Sequence, residues 1–264
     1  MTHRRVADFF RRAKTERKIH ITSFDPCCHR LEDLREIVLC AAEAGTDGFF
    51  LGGSTGVDRA MVDAFTQTIV ESLNDTYGEE ERPPLILFPS SADTSMAAMA
   101  DAVLFMSLLN SYDVKYLIRE QMRAAPFLPR LGLQPVGCGM ILIEPGGTAG
   151  QVGKADLIKN DDILTALGYA TAADAYGFQT IYLNAGSGSP EPVSAEMIRT
   201  VAEAIHAPLI VGGGLTNVDK VRVAVEAGAD IVVTGTAIED CDDIGAKVAG
   251  LADAVHTVAP SGAK

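Results

Sequence analysis

Short runs of apolar residues recur along this chain, and most are followed by a polar or glycine-rich turn and then by a stretch with helical spacing. Between residues 31 and 44, for example, apolar side chains return every three or four positions, as on the buried face of a helix. Continuous apolar runs are typical of parallel strands that are buried on both faces. Eight runs fit this description: 19–24, 48–51, 85–88, 102–106, 139–143, 180–183, 208–211 and 231–234.

The alternation of eight strands with helices predicts an α/β fold and, more narrowly, a (β/α)8 TIM barrel. The length of 264 residues fits one such barrel, so we expect a single domain over 1–264. A doubly wound open sheet is the competing architecture, but no GxGxxG fingerprint follows the first strand. Helices are predicted over 1–18, 31–44, 57–73, 114–125, 163–176, 194–205, 218–227 and 244–254.

One connection in this scheme is unusually short. Only 13 residues separate the third strand from the fourth, which leaves little room for a crossover helix together with its loops. We therefore expect a missing or irregular helix after strand three. Residues 126–135 are expected to form a loop that covers part of the site, and an irregular segment is expected between the fifth strand and the helix at 163.

Glycine clusters follow the last three predicted strands. The strands that end at 183, 211 and 234 open onto loops at 184–188, 212–217 and 235–237. Glycine lets backbone N–H groups approach a ligand closely, and a helix N-terminus adds partial positive charge. Because the carboxyl ends of parallel strands meet at one end of a barrel, the three loops together predict a cradle for a phosphate group.

Composition and charge narrow the classes of partner. A formal net charge of −13 argues against nucleic acid, although local backbone amides can bind an anion whatever the net charge. No run of about 18 apolar residues is present, and the basic segment 1–18 lacks the apolar stretch of a secretory signal. The five cysteines show neither a paired framework nor a CxxC metal spacing. We therefore expect a cytoplasmic protein.

Polar residues at the ends of other strands are candidates for chemistry. Asp25 follows the first strand, where a carboxylate suits Mg²⁺ together with phosphate oxygens, or caps the next helix. Ser54 supplies a neutral oxygen to the same metal, or is a plain turn serine. Tyr182 either donates a hydrogen bond to a ligand phosphate or packs as a core aromatic residue. Both interpretations stay open for each residue.

Other polar residues near the same predicted edge have weaker support. Glu144 either orients a hydroxyl group or pairs with a basic side chain. Ser90 and Ser91 are expected to shape a loop rather than to contact a ligand, and Cys27 and Cys28 to be packing residues. The histidines lack metal-ligand spacing and a nucleophile partner, so a structural role is expected for them. They include His20, His29 and His206.

Seven motifs, taken together and in order, resemble one family. They are HITSFDP at 20–26, GGSTG at 52–56, FPS at 88–90, IEPGGTAG at 143–150, YLNAGSG at 182–188, VGGGLT at 211–216 and VTGTAIE at 233–239. With this set the chain is similar to the geranylgeranylglyceryl phosphate synthases, a family that also contains the bacterial heptaprenylglyceryl phosphate synthases. The resemblance runs from about residue 18 to residue 250.

The resemblance implies a modified TIM barrel that lacks one regular helix after strand three. It implies an Mg²⁺-dependent prenyltransferase that joins a polyprenyl diphosphate, with geranylgeranyl diphosphate as the expected donor, to sn-glycerol 1-phosphate, giving an ether-lipid precursor. A long apolar groove must then hold the prenyl tail, and the Ala, Leu, Phe and Met residues between 96 and 128 either line it or form ordinary core. A lipid product implies transient contact with a membrane surface, and the family's usual assemblies imply a homo-oligomer.

The resemblance also implies roles for individual residues. Asp25 and Ser54 would hold Mg²⁺ with the diphosphate, and Asp25, Tyr182 and Asn184 would be the catalytic residues. The residues implied to bind glycerol phosphate are Tyr182, Leu183, Asn184, Ala185, Gly186, Ser187, Gly188, Gly213, Gly214, Gly235 and Thr236.

The chain departs from the family pattern at three positions. The family's glutamate in YLEAGSG is Asn184 here, and an amide can bind a hydroxyl group but cannot act as a base. Ser23 replaces a basic residue, and Cys27 replaces an acidic one. One hypothesis is that loss of the carboxylate admits an acceptor with its own negative charge, such as phosphoglycerate. The remaining alternatives are a phosphosugar isomerase on the same barrel and an inactive homologue that only binds a phosphate or prenyl ligand.

Overall fold

Eight parallel strands close into one barrel in the computed structural model, which describes residues 4–239 and 241–260. The first strand pairs with the last, with Ile21 opposite Val233, and this closure confirms the predicted TIM barrel. The strands are β1 (Ile19–Phe24), β2 (Gly48–Leu51), β3 (Leu85–Leu87), β4 (Ala102–Leu108), β5 (Gln134–Leu142), β6 (Thr180–Asn184), β7 (Leu209–Gly212) and β8 (Ile231–Thr234).

Helices follow most of the strands and surround the barrel. They are α1 (Arg4–Thr15), α2 (Leu34–Glu43), α3 (Arg59–Tyr77), α4 (Glu120–Ala124), α5 (Leu128–Leu131), α6 (Gly147–Val152), α7 (Ile163–Ala175), α8 (Ala195–Ala204), α9 (Val218–Ala227), α10 (Thr236–Glu239) and α11 (Ile244–His256). Side-chain caps fix several of the starts. Asp58 accepts a hydrogen bond from the Met61 N–H at 2.8 Å, and Asn217 accepts one from the Lys220 N–H at 2.9 Å.

Two layers of apolar packing result from the alternation of side chains along each strand. Residues such as Ile21, Phe50 and Leu104 fill the barrel interior, whereas those on the other face pack against the helices. Helix α1 closes the amino end of the barrel, because Phe10 is 1% exposed and packs with the interior residues. The carboxyl ends of the strands therefore provide the open end of the barrel.

The connection between β3 and β4 contains no helix, as the spacing predicted. A buried ion pair instead joins the residues that precede β3 and β4. Arg82 Nη1 and Nη2 donate to the two oxygens of Asp101 at 2.7 and 2.8 Å, and both side chains are 3% exposed. Asp101 also accepts the Leu85 N–H at 2.7 Å, and Arg82 Nε donates to Asn74. This network sets the spacing of β3 and β4 without a crossover helix.

The predicted loop at 126–135 is wrong. A π-helical turn at Lys115–Arg119 leads into α4, a 3-10 turn at Ala125–Phe127 and then α5, so the chain is helical almost to the start of β5. Pro126 and Pro129 do not break this path, because each lies in the first turn of its helical piece, where a missing N–H is not needed. We call residues 114–131 the cavity-wall segment.

Two further boundaries differ from the predictions. Strand β5 begins at Gln134 rather than at 139, because its residues from Gln134 to Met140 pair with the full length of β4. The segment expected to be irregular contains α6, whose start at Gly146 and Gly147 has left-handed φ angles of 73° and 55°. Apolar spacing did not predict this short helix, because its sequence is rich in glycine and has few apolar side chains.

Candidate active site

A cavity of about 430 Å³ opens at the carboxyl ends of the strands, where barrel enzymes place their active sites. One side is polar and is built from the end of β1 and the loops after β2, β6, β7 and β8. The other side is apolar and is built from β4, β5 and the cavity-wall segment. The predicted groove residues that line it are Met96, Leu104, Phe105, Met106, Leu108 and Ala124. Leu128, by contrast, is buried in the outer core.

Asp25 stands on the polar side, held by the turn that follows β1. Its Oδ1 accepts the Cys27 N–H at 2.9 Å, the Cys27 thiol also bonds the carboxylate, and Asp25 lines the cavity. Gly53 packs directly on the carboxylate, since a Cβ at 53 would lie 2.8 Å from Asp25 Cγ. The glycine pair in the GGSTG motif therefore makes room for the carboxylate of Asp25. Ser54, next along, also lines the cavity.

The three glycine-rich loops meet on the opposite part of the polar side. Ser187 Oγ lies 3.0 Å from Thr236 Oγ1, and the Gly188 N–H donates to Thr236 at 3.3 Å, so the loops after β6 and β8 are joined. The backbone N–H groups of Ser187, Gly213 and Gly214 find no acceptor in the part of the chain that the structure describes. Unpaired N–H groups around a cavity are the features of an anion-binding site.

Close backbone packing explains why glycine is required in this cradle. Gly213 has a left-handed φ of 82°, and a Cβ there would lie 2.7 Å from both the N and the O atom of Gly186. Gly214 has a φ of 72°, and its Cβ would meet the backbone of Glu191 and Pro192 at 2.6 and 2.7 Å. The cradle thus depends on the backbone positions of two loops that contact each other.

Tyr182 and Asn184 project from β6 to the cavity. Burial raises the pKa of Tyr182, so its hydroxyl is neutral and acts as a hydrogen-bond donor. Gly212 leaves the space that the hydroxyl occupies. Asn184 Oδ1 accepts the Gly186 N–H at 2.8 Å, and no described residue is a partner of its amide nitrogen. Asn184 therefore presents N–H donors to the cavity.

The remaining residues predicted to bind glycerol phosphate divide into two groups. Ser187, Gly188, Gly213, Gly214, Gly235 and Thr236 all line the cavity. Leu183 and Ala185 are fully buried on the other face of the sheet, in the core between barrel and helices, and Gly186 lies behind the cavity wall. The side chains of Leu183 and Ala185 therefore position the loop and do not touch the cavity.

Several residues of the cavity wall were not singled out from the sequence. Glu120 is 9% exposed and accepts the Ala92 N–H at 2.7 Å, which joins the cavity-wall segment to the helix-free connection. Gln121 and Tyr116 line the apolar side. The irregular helical geometry that turns them inward has no signature in apolar spacing, so no sequence signal was available.

Comparison with known proteins places these observations in a family. The model of the PcrB family matches residues 11–254. The chain belongs to the PcrB family. A relative from Methanosarcina mazei, named geranylgeranylglyceryl phosphate synthase, is 40% identical over 90% of this chain and 93% of its own length. A relative with the same name from Thermoplasma volcanium is 39% identical over 90% of this chain and 91% of its own.

Solved structures of PcrB family relatives have the same fold. The crystal structure of (S)-3-O-geranylgeranylglyceryl phosphate synthase from Thermoplasma acidophilum, in complex with its substrate sn-glycerol-1-phosphate, is 33% identical, covers 96% of this chain and 99% of that one, and superposes with a TM-score of 0.87. The wild-type enzyme from Thermoplasma volcanium is 36% identical, covers 96% of this chain and 98% of that one, and superposes with a TM-score of 0.88. These matches confirm the family resemblance and the prenyltransferase class.

Some candidates do not belong to the site of this PcrB family member. Glu144 is exposed and lies outside the cavity lining. His20 is fully buried outside the barrel interior, between the hydroxyls of Thr46 and Thr234 at 3.1 and 2.9 Å, and burial lowers its pKa to about 4. It is therefore a structural residue, as expected.

Four small residues near Asp25 and β3 do not follow the predictions. Cys27 and Cys28 are exposed and not packed, and Cys28 lines the cavity. Partial burial and the charge of Glu239 raise the pKa of Cys28 to about 11, so it is a neutral thiol near pH 7 and not an activated nucleophile. Ser90 and Ser91 line the cavity and thus do more than shape a loop.

The donor set suits a metal ion that arrives with a phosphate ligand. Among residues 4–239 and 241–260, no group of three or more His, Cys, Asp or Glu side chains is placed to hold a metal ion. Asp25 offers a carboxylate and Ser54 a hydroxyl to the cavity, and Mg²⁺ is bound in proteins by one or two carboxylates completed by substrate phosphates and water. These residues therefore fit Mg²⁺ only when diphosphate oxygens complete its ligands.

Within the same described ranges, no helix is both long and apolar enough to cross a lipid bilayer.

Proposed function

We propose that this protein transfers a polyprenyl group, with geranylgeranyl diphosphate as the expected donor, to the primary hydroxyl of sn-glycerol 1-phosphate in an Mg²⁺-dependent reaction. The observation that carries the proposal is one cavity with two unlike sides. Unpaired N–H groups and Asp25 lie on the polar side, and the apolar side continues from it along β4 and β5. A substrate pair with one diphosphate, one phosphate and one long apolar chain matches this division.

Each substrate has a place in the cavity. The cradle formed by Ser187, Gly213 and Gly214 suits the phosphate of the acceptor, in agreement with the glycerol phosphate bound by the relative from Thermoplasma acidophilum. Asp25 and Ser54 would hold Mg²⁺ together with the donor's diphosphate. The apolar side then receives the prenyl chain. Bound Mg²⁺ would supply positive charge that neutralises the departing diphosphate.

The reaction exchanges one C–O bond for another. The bond between the allylic carbon and the diphosphate breaks, and its electron pair leaves with the diphosphate. The acceptor hydroxyl forms the ether bond to that carbon and loses its proton. Asn184 has no basic atom and cannot take this proton, whereas the released diphosphate carries basic oxygens that can. The chain's own contribution is positioning, because the cradle and the donor side hold oxygen and carbon in one water-poor space.

Transfer of a labelled prenyl group tests this function. We expect product from geranylgeranyl diphosphate and glycerol 1-phosphate with Mg²⁺ and none after its chelation. Asp25→Asn should lower kcat/KM by at least about 100-fold, because a carboxylate ligand of the metal is lost. Glu144→Gln is the matched control, since it removes an exposed carboxylate outside the cavity lining. Equal losses in both variants, or product without Mg²⁺, would contradict the proposal.

Asn184 supports a second candidate acceptor. Its oxygen is held by the Gly186 N–H, so the amide offers donors to the cavity, and a donor suits an acceptor with an additional anionic oxygen. Phosphoglycerate is such an acceptor. The two acceptors are to be compared directly in the wild type and in Asn184→Glu, which should reject phosphoglycerate by charge repulsion. A clear preference of the wild type for glycerol 1-phosphate ends this alternative.

A further inference from the structure

The cavity-wall segment has one side that faces solvent and is unusually apolar. Val114, Ile118 and Met122 are 47%, 57% and 61% exposed and recur every four residues, so they form a stripe. Phe127 extends the stripe at 55% exposure, and Tyr112 precedes it at 74%. Large apolar side chains gathered on one exposed face indicate a contact with another apolar phase or molecule.

Basic residues border this stripe. Lys115, Arg119, Arg123 and Arg130 are exposed, and between 112 and 131 four basic side chains stand against two acidic ones in a chain with a net charge of −13. Of the two acidic residues, Glu120 is turned inward. Arg123 pairs with Asp93 and Lys115 with Glu120, whereas Arg119 and Arg130 have no ion-pair partner among the described residues. The unpaired charge on this face is therefore positive. An apolar stripe with basic flanks is the composition of helices that lie on anionic membrane surfaces.

The other side of the same segment forms part of the cavity. Tyr116, Gln121 and Ala124 line its apolar side, a few residues from the exposed stripe. One helical segment thus separates the space that suits a prenyl chain from the surface. In the proposed function both the donor and the product carry such a chain, and chains of this kind partition into bilayers. This step rests on the proposed function.

We propose that the exposed side of the cavity-wall segment docks on the surface of an anionic lipid bilayer and places the cavity beside the apolar chains. A second copy of the chain is a poorer occupant, because a symmetric contact would bring two positive faces together. Docking is peripheral: apolar side chains enter the headgroup region, and basic residues contact anionic headgroups.

Vesicle sedimentation of the full chain tests the proposal. We expect binding to vesicles rich in phosphatidylglycerol, little binding to pure phosphatidylcholine vesicles, and loss of binding at high salt. Arg119→Glu with Arg130→Glu should lower the affinity about thirtyfold, the change expected from losing two basic contacts. Ile118→Ser with Met122→Ser should also weaken binding. The matched controls are Arg199→Glu with Arg222→Glu and Leu164→Ser with Val223→Ser, which change exposed residues on α7, α8 and α9.

Sedimentation needs no catalysis, so its result is readable even if the prenyl-transfer assay fails. Three outcomes would overturn the proposal: no binding to anionic vesicles, equal loss in the control variants, or a change of oligomeric state in the stripe variants, which would show that a second copy covers the face. Circular dichroism of each variant establishes that it is folded before binding is measured.

Discussion

The two sides of the cavity are built by different means. On the side of β6 to β8, loops bring backbone atoms together, and glycines such as Gly213 and Gly214 make the contacts possible. On the side of β3 to β5, a regular crossover helix is missing. Glu120 joins the cavity wall to the helix-free connection, and the Arg82–Asp101 pair holds the amino ends of β3 and β4. The cradle therefore depends on backbone geometry and tolerates few amino-acid substitutions. The apolar wall depends instead on individual side-chain contacts.

Breaking the buried ion pair is the strongest test of the second side. Asp101→Asn leaves Arg82 as an uncompensated buried charge, and we expect a loss of about 3–5 kcal/mol in the free energy of unfolding. Urea denaturation measures this loss. Asp93→Asn is the control, because its pair with Arg123 is exposed and should contribute about 0–1 kcal/mol. Similar values in both variants would show that the pair does not support the helix-free connection.

Breaking the cradle tests the first side. Gly213→Ala places a Cβ against the backbone of Gly186 at a left-handed φ, so we expect kcat/KM to fall about 100-fold, mainly through a higher KM for the phosphate-bearing acceptor. Steady-state kinetics measures both constants. Gly168→Ala is the matched control: Gly168 is helical and has open space, so its replacement should stabilise the protein by about 0.5–1 kcal/mol without affecting KM.

His20 tests whether the cradle is independent of the outer layer. Burial lowers the pKa of His20 to about 4 from an ordinary value of 6.5, so the unfolded chain binds more protons between these values. Its contribution to stability is complete above about pH 6.5 and is lost as the pH falls toward 4.

Between pH 7 and pH 5 this amounts to about 2 kcal/mol, measured by urea denaturation at each pH. His20→Gln should show a shallower dependence and unchanged KM values at pH 7.5. An identical pH dependence in wild type and variant would contradict the assignment, and a changed KM would show that the cradle depends on this layer.

Replacement of Thr66 is expected to change the free energy of unfolding the least. Its hydroxyl is buried in α3 without a hydrogen-bond partner among the described residues. Thr66→Val removes an unpaired polar group while keeping the shape, so we expect unfolding to cost up to about 1 kcal/mol more. A destabilised variant would reveal a hydrogen bond that the hydroxyl makes in solution.

The two sides also differ in how far the sequence predicts them. Strands β1, β2 and β8 and helix α9 have the predicted bounds, because continuous apolar runs and helical spacing mark them directly. The glycine clusters predicted where the loops after β6, β7 and β8 meet, because left-handed turns and close backbone contacts require glycine. The short spacing between β3 and β4 predicted the missing helix.

The apolar wall was not predictable in the same way. The π turn at Lys115–Arg119 and the helical path through Pro126 and Pro129 depend on contacts with residues distant in sequence, such as that of Glu120 with Ala92. The contact of Gly53 with Asp25 likewise appears only when two loops are brought together. The periodicity of apolar residues predicts local structure only, so it could not predict features that depend on long-range contacts.

Helix α1 has a consequence for the order in which ligands bind and dissociate. By filling the amino end of the barrel with Phe10 and its neighbours, it closes that end within the described residues, and the cavity opens at the carboxyl end. When two ligands enter a cavity from the same end, the one that binds deeper must bind first and dissociate last. Product-inhibition patterns would therefore show an ordered sequence of arrivals rather than a random one.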